Sequence, residues 1–278
     1  MLKKAYLEIT NVCNLSCSFC HGTKRPPRFL SEEEFSYAAA ELRKQTEYIY
    51  FHLMGEPLLH PLLGRFLEIA NSLGFKVIIT TNGTLLRETQ DILLSAPALH
   101  KISVSLHAYE ANENAPKLSE LLSDCFEFCD RSSKKGIISV MRLWNLGGLN
   151  EDNGVILEKM KEYFPEPWLS VSKGMKLRER LFLEWGEKFD WPDEGAREVG
   201  SNHSCYGLRD QIGVLSDGTV VPCCLDADGV IALGNIFEES LDDILKKPRA
   251  CALRRSFENR SITEPLCLRC GFAAQRVK

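Results

Sequence analysis

The strongest constraint on the fold is a regular alternation of β-prone and helix-prone segments. Five runs, at 2–10, 48–53, 76–80, 101–106 and 137–143, are rich in β-branched and aromatic residues and read as strands. Helix-prone stretches separate them. Ser31, with Glu34 three residues on, forms a capping box that predicts a helix to about Lys44. Further helices are predicted over 61–73, from just after Gly83 to about Leu94, over 116–131 and over 151–163. A sixth strand is expected within 168–184. Strand then helix, repeated at least five times, implies parallel strands with right-handed crossovers. The fold class is therefore α/β. Five or six units fit a partial (β/α)6 TIM barrel over 1–186 better than a full eight-unit barrel, which needs ~250 residues. Ligands of such sheets sit beyond the C-terminal ends of the strands, so the informative residues lie just after each one.

The alternation stops near residue 186. Residues 187–204 are rich in Gly, Pro and acidic side chains and read as a connection. After it, 211–222 reads as a β-hairpin around Asp217-Gly218, and 240–247 as a short helix stopped by Pro248. A second, smaller unit is thus expected over 205–278.

The charge balance narrows the partners. A net charge of −4 gives no electrostatic case for nucleic-acid binding. No run approaches the ~18 apolar residues of a membrane span, and the N-terminal stretch carries no signal peptide. A cytoplasmic location, without membrane or nucleic acid as partner, is the expectation. Thiols stay reduced there. Eleven cysteines then call for an explanation other than disulfides, and metal is the first candidate.

Three of them, Cys13, Cys17 and Cys20, sit within the eight residues CNLSCSFC, directly after the first strand. Adjacent thiolates on one loop suit a compact iron–sulfur cluster. Three thiolates on a four-iron cubane leave one iron open, as catalytic metal sites keep a free position. A zinc site completed by His21 or His52 is the alternative.

The stretch resembles the Cx3Cx2C signature of the radical SAM superfamily, including the aromatic Phe19 before the last cysteine. Met54-Gly55-Glu56-Pro57, after the second strand, resembles the family's Gly-Gly-Glu-Pro segment, with Met54 in place of the first glycine. Thr81-Asn82-Gly83 after strand three fits as well, as do Ser103 and Ser105 on strand four with His107 beyond. The resemblance implies a 4Fe–4S cluster on Cys13, Cys17 and Cys20 whose open iron is chelated by S-adenosylmethionine. Reductive cleavage of that cofactor would yield a 5′-deoxyadenosyl radical that takes a hydrogen atom from the substrate. It also implies that Phe19 and Asn82 border the cofactor and that Gly55 and Glu56 hold its amine. Ser105 would meet the ribose or carboxylate, and Arg142, at the end of strand five, the carboxylate.

Five further cysteines lie past residue 200: Cys205, Cys223, Cys224, Cys267 and Cys270. A tight hairpin brings Cys205 and Cys223 together, and Cys267-x2-Cys270 is a knuckle, so four thiolates suit a second 4Fe–4S cluster or structural zinc. The pattern resembles the twitch domain, a short SPASM domain, with spacing similar to that of the 2-deoxy-scyllo-inosamine dehydrogenases. The seven-cysteine SPASM pattern is not met, since the sequence ends eight residues after Cys270, so one auxiliary cluster is expected. Cys224 reads as a bystander, an alternative ligand, or a hydrogen donor to the substrate. Cys125 and Cys129, four apart on a helix, read as packing, and Cys251 has no evident partner. Trp144, Trp168, Trp185 and Trp191 read as core or lid, and His52 as core or lumen.

A fully protein-ligated second cluster suits electron transfer. The expected function is therefore a two-electron oxidation of a small metabolite, served by an electron donor such as flavodoxin or ferredoxin. The alternative is maturation of a ribosomal peptide by thioether formation, crosslinking or epimerisation. Only twelve residues precede Cys13, which argues against a leader-binding domain there. A non-catalytic zinc protein is the disfavoured third reading.

Overall fold

The β-prone runs pair in the order in which the sequence presents them. The computed structural model describes residues 2–112 and 116–275; the expected second unit's last residues, 276–278, and the barrel's residue 1 lie outside them. Strands β1 (Lys4–Leu7), β2 (Tyr48–Tyr50), β3 (Lys76–Thr81), β4 (Leu99–Ser105) and β5 (Ile138–Leu146) are parallel neighbours. Helices α1 (Glu32–Arg43), α2 (Leu63–Ser72), α3 (Leu86–Ser95) and α4 (Leu118–Lys134) join them, and α5 (Asn153–Tyr163) follows β5. Each helix packs on the next. Neighbours in sequence are neighbours in space, which is the singly wound order of a partial barrel and not the reversing order of a doubly wound sheet. The capping box at α1 is present: Ser31 accepts from the Glu34 amide, and Glu34 accepts from the Ser31 amide.

The region 168–184 holds more than one strand. β6 (Leu169–Val171), β7 (Gly174–Arg178) and β8 (Leu181–Glu187) form an antiparallel meander, and β8 pairs parallel with β5 as the sixth barrel strand. Gly174, at φ +156°, and Arg180, at φ 59°, make the turns that fold this stretch back on itself. β-propensity marks the segment without giving its direction.

The expected hairpin is β9 (Gln211–Val214) and β10 (Thr219–Val221), followed by the short β11 (Gly234–Asn235). β9 pairs parallel with β1 along four residues, from Lys4↔Gln211 to Leu7↔Val214. The hairpin thus extends the barrel sheet, which runs β11-β10-β9-β1-β2-β3-β4-β5-β8-β7-β6. Helix α6 (Leu241–Lys246) ends where expected, but Pro248 then opens α7 (Pro248–Glu258), where its missing N–H costs nothing. The short helices α8 (Pro265–Leu268) and α9 (Gly271–Ala274) flank the cysteine knuckle.

Alternation along the strands divides the apolar residues between two faces. Leu7, Ile49, Val77, Ile79, Ile102, Met141 and Leu183 pack with Phe35, Phe66 and Phe126 of the helix layer, and Cys125 and Cys129 are buried in that core. Tyr6, Leu53, Leu215 and Val221, with Tyr50 and Cys224 against them, form a separate cluster on the opposite, concave face. That face is the barrel lumen. Among the described residues no helix is long and apolar enough to cross a membrane.

Candidate active site

The loop after β1 is wide and closed at its base. Thr10 and Phe29 form a bridge, and the Thr10 hydroxyl donates to the Arg28 carbonyl at 2.8 Å. The Asn11 side chain donates to the Pro26 carbonyl and accepts from the Arg28 amide. Inside this base lies Glu8, fully buried. Arg25 Nη2 donates to both of its oxygens, at 2.7 and 2.8 Å, in a charge-assisted pair. The amide and hydroxyl of Ser216 and the Met54 amide also donate to it. Arg25 further donates to the Ala227 carbonyl, and Thr23 and the Lys24 amide to Asp228. The cysteine loop is therefore clamped to β1, to the loop after β2 and to the C-terminal segment at once.

Cys13, Cys17 and Cys20 all line one cavity of about 340 Å³, together with Leu53, Met54, Gly55 and Trp191. Each sulfur has a donor near it. The Asn82 amide lies 4.0 Å from the sulfur of Cys13, the Asn112 amide 3.0 Å from Cys17, and the Gly22 N–H 3.4 Å from Cys20. Burial raises all three thiol pKa values. A bound cation reverses that, since it favours the thiolate.

Gly55 makes the approach of the β2 loop possible. It sits at φ +75°, and a Cβ there would lie 2.4 Å from the Thr10 carbonyl oxygen and 2.9 Å from that of Val12. The Glu56 amide donates to Val12 at 2.8 Å. The Glu56 carboxylate is buried and accepts from the backbone amides of Leu58 and Asn82, so it ties the loops after β2 and β3 together. Burial pushes its pKa up to about 7. Phe19 lies with its ring 5.0 Å from His107, and its carbonyl accepts from Trp191 Nε1 at 3.1 Å. Ser105 ends β4 in register with Arg142 on β5. The guanidinium of Arg142 stacks on Trp144 at 4.5 Å.

The lumen holds unpaired polar atoms. His52 Nδ1, Thr80 Oγ1, Ser103 Oγ, Arg142 Nε and Trp144 Nε1 are buried without a hydrogen-bond partner. Thr80 and Ser103 are direct neighbours across β3 and β4. Each such atom costs about 1–3 kcal/mol unless something polar meets it. Clustering at the C-terminal ends of parallel strands is what a ligand site requires.

The second cysteine set is separate. Cys205, Cys223, Cys267 and Cys270 line one cavity with Leu225, Ile231, Phe257 and Leu266. Burial raises the pKa values of Cys223 and Cys267, and pushes Cys270 up to about 11. Cys224 does not line that cavity; it packs in the lumen cluster with Tyr6. Among the described residues no three His, Cys, Asp or Glu side chains converge as they would on a single ion. A four-iron cluster needs no such convergence, because each thiolate meets a different iron. Both cysteine sets fit that group.

The sequence profile of the radical SAM superfamily matches residues 7–160. The chain belongs to the radical SAM superfamily. An iron–sulfur cluster-binding SPASM domain matches residues 205–271. The cofactors of this radical SAM protein are accordingly 4Fe–4S clusters and S-adenosylmethionine. The GTP 3′,8-cyclase of Aquifex aeolicus (strain VF5) is 28% identical over 201 residues, covering 68% of this chain and 59% of that protein. The probable GTP 3′,8-cyclase of Methanothermobacter marburgensis is 34% identical over 274 residues, covering 81% and 85%. The first curated relatives are longer: the chain spans 59%, 35% and 60% of their lengths. Among solved structures, BtrN in complex with AdoMet and 2-DOIA superposes with TM-score 0.60 at 18% identity, over 97% of this chain and 93% of that one. Streptococcus suis SuiB bound to S-adenosylmethionine gives 0.65 at 17% identity, over 91% and 68%.

Sequence reasoning left several site residues unnamed. Asn112, beside the sulfur of Cys17, and Tyr6, in the lumen cluster with Cys224, lack a motif, and the Glu8–Arg25 pair joins residues seventeen apart that only the folded loop brings together. Trp191 lines the cysteine cavity and Trp144 the lumen, whereas Trp168 and Trp185 pack on the core. The segment 187–204, expected as a connection, therefore supplies a wall of the site.

Proposed function

We propose that the protein oxidises a small-molecule substrate by two electrons, with Cys13, Cys17 and Cys20 holding the cluster that cleaves S-adenosylmethionine and Cys205, Cys223, Cys267 and Cys270 holding an auxiliary one. When bound, these groups supply a 5′-deoxyadenosyl radical that removes one hydrogen atom and an acceptor for the second electron. The protein's own share is placement. Gly55 lets the β2 loop approach the cysteine loop, and Glu56 fixes both loops from behind. Gly55 and Glu56 offer backbone groups to the cofactor amine, Asn82 and Phe19 border it, and Ser105 and Arg142 meet its ribose and carboxylate. A guanidinium fork matches a carboxylate. Trp191 closes one wall against water. An external donor such as flavodoxin or ferredoxin supplies the reducing electron. Residues 1–186 act as the barrel, 187–204 as the connection and 205–278 as the auxiliary domain.

The observation that carries this reading is the closed, four-thiol cavity. With all four ligands from protein, no iron is left for substrate, which suits electron handling. The relatives named for GTP support a small molecule over a peptide. A second reading, redox-neutral epimerisation, is favoured by the place of Cys224 in the lumen beside Tyr6, where a thiol can return a hydrogen atom. Iron analysis and product stoichiometry test both. Reconstituted protein should hold about eight irons, and the Cys13/Cys17/Cys20→Ala variant about four. Oxidised product equal to 5′-deoxyadenosine supports dehydrogenation. Unoxidised, solvent-labelled product lost on Cys224→Ala supports epimerisation. Zinc in place of iron overturns both.

A further inference from the structure

We infer that the substrate of this site carries an anionic group, a carboxylate or a phosphate, seated on Lys4 and Lys101 in the barrel lumen; the inference rests on the catalytic reading above. Lys4, on β1, donates to the Tyr6 hydroxyl at 2.9 Å and stands 5.1 Å over the rings of both Tyr6 and Tyr50. Tyr6 and Tyr50 are partners across β1 and β2, and Tyr50, Ile78 and Lys101 continue the same row across β3 and β4. Lys101 therefore shares its face with Ser103, Ser105 and the lumen aromatics.

The charges on this face do not balance. Arg142 lies within electrostatic range of both Lys4 and Lys101, which also repel one another, and the exposed Lys173, on the turn between β6 and β7, adds to the positive potential at both. Against them stand Glu184, 3.9 Å from Lys101, the Cys224 thiol near Lys4, which burial holds toward its neutral form, and Asp210, which already pairs with Lys3 at 3.4 Å and Arg209 at 3.1 Å. Burial lowers the pKa values of Lys4 and Lys101, as expected for desolvated ammonium groups short of counter-charge. The unpaired atoms above them, Arg142 Nε and Trp144 Nε1, are donors, and Ser103 and Thr80 present free hydroxyls. An oxygen-rich anion satisfies both deficits at once. Arg142 serves the cofactor carboxylate, so the substrate anion takes the free hydroxyls and Trp144 Nε1, with the two lysines as its anchor.

Calorimetric titration of the cluster-loaded protein, with pyrophosphate in one arm and succinate in the other, tests this. Saturable binding of either is expected, and the preferred one identifies the group. Lys4→Met and Lys101→Met should each weaken it about tenfold or more, Lys4→Arg and Lys101→Arg should retain it, and Lys159→Met, on the outer face of α5, should leave it unchanged. A thermal melt of each variant separates lost binding from lost fold. Saturable binding of neither anion, or equal weakening by Lys159→Met, overturns the inference. Formation of 5′-deoxyadenosine by the same wild-type preparation, measured without substrate, reports separately on the catalytic reading.

Discussion

Glu8 shows how much of the site depends on one side chain. It is fully buried, and five hydrogen bonds converge on it from Arg25, Ser216 and Met54. Against an apolar replacement of both partners the pair is near neutral, because burying both charges costs nearly what their attraction returns. Breaking the pair is different, since Arg25 keeps its charge with its side chain 10% exposed. Glu8→Ala should destabilise the protein by about 3–5 kcal/mol in urea titration. A loss under 1 kcal/mol would mean that Arg25 finds water without cost. Asn112 acts at the same scale. Its amide reaches the sulfur of Cys17 from the loop after β4, and hydrogen bonds to ligand sulfurs tune cluster potentials.

Among the elements, the approach of the loops after β1 and β2 sets the shape of the cysteine cavity. Gly55 sits at the contact, at φ +75°, with three backbone atoms of 10–12 within 2.9 Å of where a Cβ would stand. Gly55→Ala therefore displaces the cysteine loop and leaves intact the four-thiol cavity, which shares none of its lining residues. The variant should retain about four of eight irons after reconstitution. Full iron content would show that the loop absorbs the methyl group. The strands and helices that frame this contact were legible because periodicity and capping act locally, as at Ser31 and Glu34. The grouping of Cys13, Cys17 and Cys20 around one cavity was legible because all three sit on one short loop. Pairing was less so: nothing within 205–222 states that β9 lies beside β1, because the partner is about 200 residues away. Nor does 168–184 state that β8, and not β6, completes the barrel. The lumen lysines escaped notice because a lysine in a strand reads as a solvent-facing residue until the sheet curves around it.

At the scale of the whole molecule, the β1–β9 pairing places the auxiliary segment within the barrel sheet and sets the stability of both together. Acid should weaken that fold. Burial lowers the pKa of His52 to about 3 and those of His60 and His107 to about 4, from an ordinary 6.5. The unfolded chain then binds more protons below pH 6.5, and stability falls as pH drops from there toward 4. Glu56, raised from 4.5 to about 7, works the other way between those values, but it is one group against three. Metal-free protein should therefore be less stable to urea at pH 5.5 than at pH 7.5, and substitution of the three histidines by glutamine should abolish that loss and leave the opposite trend of Glu56. Equal stability in the wild type would mean that the rings are hydrated. The central claim is that one cluster is open to S-adenosylmethionine and the other closed. Electron paramagnetic resonance of the reduced protein, with and without S-adenosylmethionine, tests it most directly. The cofactor should perturb the signal of a Cys205/Cys223/Cys267/Cys270→Ala variant and leave that of Cys13/Cys17/Cys20→Ala unchanged. A perturbation that survives in the second variant and is lost in the first would contradict the account.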